Sequence, residues 1–122
     1  ITSVSEAVER MGDPPWETIL MVDERNAYSL LCDEPGASNR PHWHDDFDEV
    51  WYVVQGELEW EISARERDGI KHVATYLAKV GDLIFCPKGM IHVIKTVGTG
   101  RSLRMGIGTL VENIIWADEY FT

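Results

Sequence analysis

The 122-residue sequence has few cysteines and no long apolar stretch, and each shortage narrows the classes of protein to which it can belong. Its two cysteines, Cys32 and Cys86, are far apart and form no CxxC pair. We expect both to be small, buried and reduced, as in a cytoplasmic protein. No apolar run approaches the roughly 20 residues that a membrane-spanning helix requires, and no signal peptide is visible. The sequence therefore predicts a cytoplasmic location and no membrane partner.

Basic residues are also scarce. The sequence holds 11 lysine and arginine residues against 21 aspartate and glutamate residues, which gives a formal net charge of −10. Such a surface repels the phosphates of nucleic acid and the head groups of anionic lipid, so neither is an expected partner. The charge does not exclude an anionic substrate inside a pocket, where local groups and a metal ion dominate the field.

Motifs for nucleotide binding and for covalent catalysis are missing as well. No glycine-rich loop joins a predicted strand to a predicted helix, and no serine or cysteine nucleophile signature is present. There is no internal repeat, linker or low-complexity segment. We expect one domain spanning residues 1–122, large enough to bury a core without disulfide bonds.

The pattern that is present is that of short β-strands. Residues 57–62 alternate apolar and acidic side chains, which predicts a strand with one face in solvent. Residues 3–10 predict a short helix capped by Ser3 or Ser5. The tail, residues 111–122, fits either a last strand or a short helix. Short strands separated by turns favour an all-β sandwich or barrel. Strands are predicted at residues 17–22, 26–32, 49–54, 57–62, 71–77, 83–86, 91–97 and 103–110.

Three histidines and one glutamate stand out by their spacing. His42 and His44 are two residues apart, so on a strand both imidazoles face the same side while Trp43 faces the other. Glu49 opens the next predicted strand, and His92 lies on a separate strand. Three imidazoles and one carboxylate suit one divalent transition metal: iron, manganese, nickel, cobalt, copper or zinc. An octahedral ion held by four protein ligands keeps two positions open for water, substrate or dioxygen.

These residues lie in two segments that resemble the two conserved motifs of the cupin superfamily. Residues 36–56 read GASNRPHWHDDFDEVWYVVQG and match the pattern G-x5-HxH-x4-E-x6-G at every fixed position. Residues 81–96 read GDLIFCPKGMIHVIKT and match G-x5-P-x-G-x2-H-x3-N except that Thr96 replaces the final asparagine. Thr96 is not a ligand position, so this departure bears on the packing at the strand end.

The resemblance implies a cupin-type antiparallel β-barrel, also called a double-stranded β-helix or jelly roll, with the metal inside. It makes His42, His44, Glu49 and His92 the metal ligands, as their spacing already suggests. It also implies a small-molecule substrate. Cupins that resemble this chain are commonly homodimers, and the apolar tail at 111–122 is suited to being covered by a second subunit.

Several further residues are candidates for binding substrate. If Glu49 faces the metal, Trp51 shares its side of the strand and lines the cavity, and the same logic applies to Trp60 and Phe85. Each aromatic residue could instead be plain core. Arg104, in an otherwise apolar strand, either pairs with a substrate carboxylate or is a rim arginine that pairs with a surface acid.

Other polar residues have plainer explanations. The acidic run Asp45, Asp46 and Asp48 either forms hydrogen bonds to the ligands from outside or is a solvated loop, which is the commoner case. His72 is expected to be exposed on a strand. Tyr28 and Tyr76 are weak candidates for general acids.

Three functions are consistent with this sequence. The first is a metal-dependent enzyme in which Glu49 also serves as a base. Within it a dioxygenase-like oxidoreductase with iron is favoured narrowly, because the candidate pocket residues are aromatic and the ion keeps open positions; a decarboxylase, lyase or isomerase is the alternative. The second is a ligand- or metal-sensing module without turnover. The third, a metal-free carbohydrate or lipid binder, is disfavoured because all four ligands are present.

Overall fold

A computed structural model describes residues 1–109 and 114–121 of the chain. Within those ranges the elements are two short helices and ten strands, arranged as two five-stranded antiparallel sheets. The elements are α1 (Val4–Met11), β1 (Trp16–Val22), β2 (Asn26–Asp33), β3 (His42–Trp43), β4 (Glu49–Gln55), β5 (Glu57–Glu66), β6 (Gly69–Lys79), β7 (Leu83–Cys86), β8 (Ile91–Val97), β9 (Ser102–Thr109), β10 (Ile115–Trp116) and α2 (Ala117–Tyr120). The all-β fold and the short N-terminal helix predicted from the sequence are confirmed.

The strand order places the two predicted motifs in both sheets. The first sheet has the order β1-β2-β9-β4-β7, and the second has the order β10-β3-β8-β5-β6. The first motif runs from the loop before β3 through β4, so it crosses from the second sheet to the first. The crossing brings the histidine pair of one sheet to face the glutamate of the other.

The main core lies between the sheets. It follows from the alternation seen in the sequence, because Leu58, Trp60 and Ile62 of β5 point inward and are buried. They pack with Val53 of β4 and Cys86 of β7. Strand β5 continues to Glu66, four residues beyond the predicted end, because it pairs with β6 as a long hairpin whose tip is a two-residue turn.

Helix α1 covers the outer face of the first sheet. Ser3 is its cap, and the Ser3 side chain accepts a hydrogen bond from the Glu6 backbone N–H. Ala7 is buried against Leu30 and Cys32 of β2. Both cysteines are free and buried, as expected, and burial raises the pKa of the Cys86 thiol to about 12.

The C-terminal segment adopts both of the structures left open by the sequence, since β10 is a strand and α2 a helix. Together they cover a third cluster around Trp43 and Ile91. Arg40 fixes them in place, because its guanidinium bonds Asp118 and Glu119 and lies 4.6 Å from the centre of the Trp116 ring. Residues 110–113 and 122, which include parts of the predicted last strand and tail, fall outside the described residues.

Backbone hydrogen bonds link the two motifs, among them one from the Gly36 N–H to the Thr96 carbonyl at 2.9 Å. The N–H of Gly89, in the second motif, donates to the carbonyl of His44 at 2.6 Å. Thr96, at the position where the motif usually has asparagine, is buried and its hydroxyl bonds that of Ser102 at 2.7 Å. Thr96 is therefore part of the packing at the strand end. Among the described residues, no helix has the length and apolarity needed to cross a membrane.

Candidate metal centre

The four predicted ligands converge between the two sheets. His42 on β3 lies directly opposite His92 on β8 in the strand register, and His44 follows β3. Glu49, the first residue of β4, reaches the group from the facing sheet. One nitrogen or oxygen from each of these four residues lies within 4.8 Å of those of the other three.

The donor set fits a transition-metal ion. Ligand atoms lie roughly 2.0–2.2 Å from such an ion, so two donors on one ion are at most about 4.4 Å apart. The observed 4.8 Å limit is therefore close to the separation that coordination requires. Three imidazoles and a carboxylate also suit a divalent first-row metal by their chemistry. The cluster thus has both the geometry and the ligand types of a metal site.

The orientation of His42 is fixed by the backbone just before it. Its Nδ1 lies 2.8 Å from the carbonyl oxygen of Arg40. Because a carbonyl only accepts hydrogen bonds, Nδ1 must carry the proton, which leaves Nε2 free of a proton and able to bind metal. The Arg40 side chain also stacks on Trp116, whose ring centre lies 5.4 Å from that of His42.

Glu49 is held by hydrogen bonds on both carboxylate oxygens. Oε1 contacts Nε2 of His44, and Oε2 accepts the indole N–H of Trp51 at 2.7 Å. Burial alone would raise the pKa of Glu49, but the hydrogen bond from His44, the charges of His92 and His44 and the hydrogen bond from Trp51 outweigh it and lower the pKa to about 2. Glu49 is consequently an ionised carboxylate, as a metal ligand should be.

Two of the histidines, His42 and His92, are in surroundings that favour the neutral imidazole. Burial, followed by the nearby His42 charge, lowers the pKa of His92 to about 4. Burial likewise lowers the pKa of His42, although the hydrogen bond to Arg40 opposes the shift. A metal therefore has no proton to displace from His92 at neutral pH.

A cavity of about 160 Å³ opens directly onto this centre. Three of the four ligands form part of its wall, and Trp51 and Arg104, both predicted from the sequence, form another part. The indole of Trp51 fits over Gly106, where an added Cβ would come within 2.5 Å of the ring. The remaining lining residues are Glu17, Leu31, Asn39 and Ile94.

Arg104 is placed by the register of β9. It lies opposite Leu31 on one side and Val53 on the other, and only 3% of it is exposed. Its Nη1 donates to Asp33 Oδ2 at 2.8 Å, and its guanidinium carbon lies 5.1 Å from the centre of the Trp51 ring.

Two residues predicted to line the pocket lie elsewhere. Trp60 is part of the core, where its indole N–H donates to Cys86 Sγ at 3.1 Å. Phe85 is 57% exposed, because its register partner is Val50 and both point away from the interior. The sequence pattern of β7 gives no indication of which face is inward, since Leu83 to Cys86 are all apolar.

The other polar candidates also lie away from the centre. Asp45 pairs with Arg65 at 3.3 Å, and Asp48 accepts the Lys88 backbone N–H at 2.8 Å, which fits the loop interpretation. His72 is exposed and bonds Thr75, as expected. The hydroxyl of Tyr28 donates to Asp23, whereas Tyr76 is exposed on β6.

Sequence reasoning missed three polar residues of the cavity region. Asp33 ends β2 and reaches Arg104, and Glu17 lies at the mouth of the cavity on β1. Asn39 lines the cavity and accepts the Ile94 backbone N–H at 2.7 Å. The partners of Asn39 and Asp33 lie 55 and 71 residues away in the sequence, so no local pattern indicates these two residues.

Comparison with known proteins agrees with this geometry. The family model described as Cupin matches residues 24–112. Because the match covers well over half of the chain, the protein belongs to the cupin family.

One curated relative is oxalate decarboxylase OxdC of Bacillus subtilis (strain 168), which is 31% identical over 81 residues, or 66% of this chain. The chain spans 20% of the length of that relative. A solved structure of the Bacillus subtilis enzyme at pH 4.6 superposes with a TM-score of 0.65 at 21% identity, covering 79% of this chain and 24% of the other. KdgF from Halomonas sp. superposes with a TM-score of 0.63 at 22% identity, covering 76% and 77%. These structural likenesses show the fold.

Proposed function

We propose that the chain is a metal-dependent enzyme that transforms a small organic molecule at the centre formed by His42, His44, Glu49 and His92. The observation that carries the proposal is that His42, Glu49 and His92 are also walls of the 160 Å³ cavity. A molecule in this cavity therefore lies against the ion itself. Structural metal sites are instead closed by protein ligands on all sides.

The residues around the centre have distinct roles in this proposal. A divalent ion bound there supplies a Lewis acid that polarises a substrate oxygen. Glu49 is the group that accepts or returns a proton, because it is the one carboxylate among the four ligands. Trp51 orients Glu49 through its indole N–H, and Arg40 orients His42 through its carbonyl.

For the reaction class we propose a decarboxylation or related lyase reaction in place of the oxygenation that the sequence favoured. The argument for an oxygenase depended on an aromatic pocket, yet Trp60 is core and Phe85 is exposed, so Trp51 is the one predicted aromatic residue that lines the cavity. The similarity to an oxalate decarboxylase supports the lyase reading. A study of that enzyme describes Mn(II) centres, so manganese is the first ion to test, ahead of iron.

The test is turnover by metal-loaded protein. Protein reconstituted separately with Mn(II), Fe(II), Ni(II) or Zn(II) is incubated with small organic acids, hydroxy acids and phenols, while carbon dioxide release and oxygen uptake are followed. Carbon dioxide release without net oxygen consumption supports the decarboxylase. Oxygen uptake that depends on substrate supports the oxygenase. Ligand-induced thermal stabilisation without product, for every metal, overturns the enzyme and favours a sensing module.

The homodimer predicted from the sequence is also part of the proposal. It is supported by exposed apolar side chains on β1, where Ile19, Met21 and Val22 are each about half exposed. Light scattering on the purified protein tests it, and a monomer at micromolar concentration contradicts it. The cytoplasmic location stays a prediction from the sequence.

A further inference from the structure

A buried arginine in the wall of the cavity has more donors than partners. Arg104 is 3% exposed and carries five N–H donors in a planar fork. Its Nη1 donates to Asp33, but its Nε is buried and has no hydrogen-bond partner among residues 1–109 and 114–121. An unpaired buried donor on a charged group is costly, so such a group indicates an acceptor supplied from elsewhere.

The guanidinium is also held in one position. Asp33 anchors it from one side, and the Trp51 ring lies against its face at 5.1 Å. A rigid, stacked guanidinium loses little freedom when it binds a carboxylate, which it matches with two parallel N–H donors. An arginine needed only for an ion pair with Asp33 would not have to lie in the cavity wall.

Trp51 connects this arginine to the metal centre. Its indole N–H donates to Glu49, and its ring contacts the Arg104 guanidinium. A ligand lying along the indole therefore meets the metal site near one edge of the ring and the cation at its face. Glu49, His92, Trp51 and Arg104 all line the same cavity, so one molecule can contact both ends.

The charges inside the cavity favour an anion. A divalent ion with neutral histidines and ionised Glu49 keeps a net positive charge, and the Arg104–Asp33 pair is neutral overall. Glu17, exposed at the cavity mouth, opposes a second negative charge on the ligand. The cavity volume of about 160 Å³ is below the roughly 300–1,000 Å³ of pockets for drug-sized ligands, so the cavity suits a small molecule.

We propose that the site binds a small monocarboxylate whose carboxyl group lies on the Arg104 fork while a second oxygen, such as a hydroxyl, binds the metal. The inference deepens the proposed function by naming its substrate class, and it rests on the same centre. In this proposal Arg104 is the residue that selects acids. Asp33 and Trp51 position the Arg104 guanidinium. Glu17 discriminates against ligands with two negative charges.

The experiment measures binding to the metal-loaded protein by calorimetry, with metal content determined for each variant. The probes are glycolate, 3-hydroxypropionate and 4-hydroxybutyrate, each beside the diol in which a CH₂OH group replaces its carboxylate. In the wild-type protein the best acid should bind at least tenfold more tightly than its diol. Equal affinity of acid and diol overturns the proposal without requiring any variant.

Variants then assign the selectivity to Arg104. The Arg104→Gln substitution should weaken acid binding by roughly ten- to a hundredfold, the loss expected for hydrogen bonds to a charged group, and leave the diol unchanged. Arg104→Lys, which keeps the charge but loses the fork, should recover part of the affinity. Glu17→Gln, at an exposed position, should tighten acid binding and reduce the preference for monoanions over dianions.

The outcomes separate this inference from the proposed function. Tight acid binding that depends on Arg104, with no turnover, supports the carboxylate site and overturns the enzyme. Turnover of neutral molecules that is unaffected by Arg104→Gln supports the enzyme and overturns the carboxylate site. If Arg104→Gln fails to fold, Glu17→Gln decides, because unchanged acid affinity in that variant contradicts the electrostatic argument.

Discussion

The indole N–H of Trp51 donates to Oε2 of Glu49 at 2.7 Å, so a cavity wall and a metal ligand form one unit. The two residues are neighbours on the same face of β4, two positions apart. The bond leaves Glu49 with one oxygen toward His44 and fixes the direction in which its carboxylate faces the centre. Residues that orient a ligand from outside in this way help to set the affinity of the site for its metal.

Replacing Trp51 by phenylalanine should therefore weaken the metal site. The Trp51→Phe substitution keeps an aromatic ring against Arg104 but removes the donor to Glu49, and losses of about 10- to 100-fold in metal affinity are typical for such partners. Competition with a chelator measures the change. Trp60→Phe is the matched control, because it makes the same chemical change where the indole donates to Cys86. Equal metal affinity in the two variants would contradict the role given to Trp51.

The absence of a side chain at Gly106 should also be required for the position of the Trp51 ring. In Gly106→Ala the new methyl group would lie 2.5 Å from the indole, so the ring must shift from the position in which it bonds Glu49. We expect weaker metal binding together with about 1–3 kcal/mol of destabilisation, as for other overpacked interiors. Gly100→Ala, where no atom lies within 4 Å, should change neither property. Thermal unfolding and chelator competition on both variants give the comparison.

Alanine substitutions at two glycines of the first motif should separate two causes of lost stability. One is the strain of a left-handed backbone, and the other is a steric clash with neighbouring backbone. Gly36 and Gly56 both have positive φ, at 84° and 82°, but only Gly56 faces backbone, with Arg101 O at 2.4 Å from an added Cβ. Gly36→Ala should cost about 1 kcal/mol for the left-handed conformation alone. Gly56→Ala should cost clearly more, because the backbone of residues 101 and 102 must move. Urea unfolding measures both, and equal losses would show that the close approach is not rigid.

The stability of the metal-free protein should fall as the pH is lowered. The pKa of His92 is about 4 in the folded chain and 6.5 in the absence of burial, so the unfolded chain binds the extra proton first. The contribution of neutral His92 to the free energy of unfolding is full above pH 6.5 and is lost as the pH falls through about 4. Glu49, lowered from 4.5 to about 2, adds a loss in the same direction below pH 4.5.

Urea unfolding of chelator-treated protein between pH 7.5 and 4.5 tests this dependence. A His92→Asn variant should show a flatter slope between pH 6.5 and 4.5, because one of the groups that releases its proton on folding is gone. A wild-type stability that stays constant over that range would contradict the assignment of a buried, neutral His92.

The fold and the grouping of the four predicted ligands could be predicted from the sequence because much of their signal is local. Two histidines at positions i and i+2 share a face of any strand, and the alternation of residues 57–62 defines an inner and an outer side. Where alternation was absent the prediction failed. Strand β7 is uniformly apolar, so its sequence did not show which side chains face the interior, and Phe85 is exposed on the surface. Asp33 could not have been found, since its partner Arg104 is 71 residues further along the chain.

The most direct test of the central claim is elemental analysis of protein purified without chelating reagents, with His44→Ala and Glu49→Ala prepared in parallel. The account predicts about one transition-metal ion per chain in the wild type, or after reconstitution with manganese, iron, nickel or zinc, and loss of that ion in both variants. A folded wild-type protein that binds none of these metals, or variants that retain the ion, would contradict the assignment of His42, His44, Glu49 and His92 as the metal ligands.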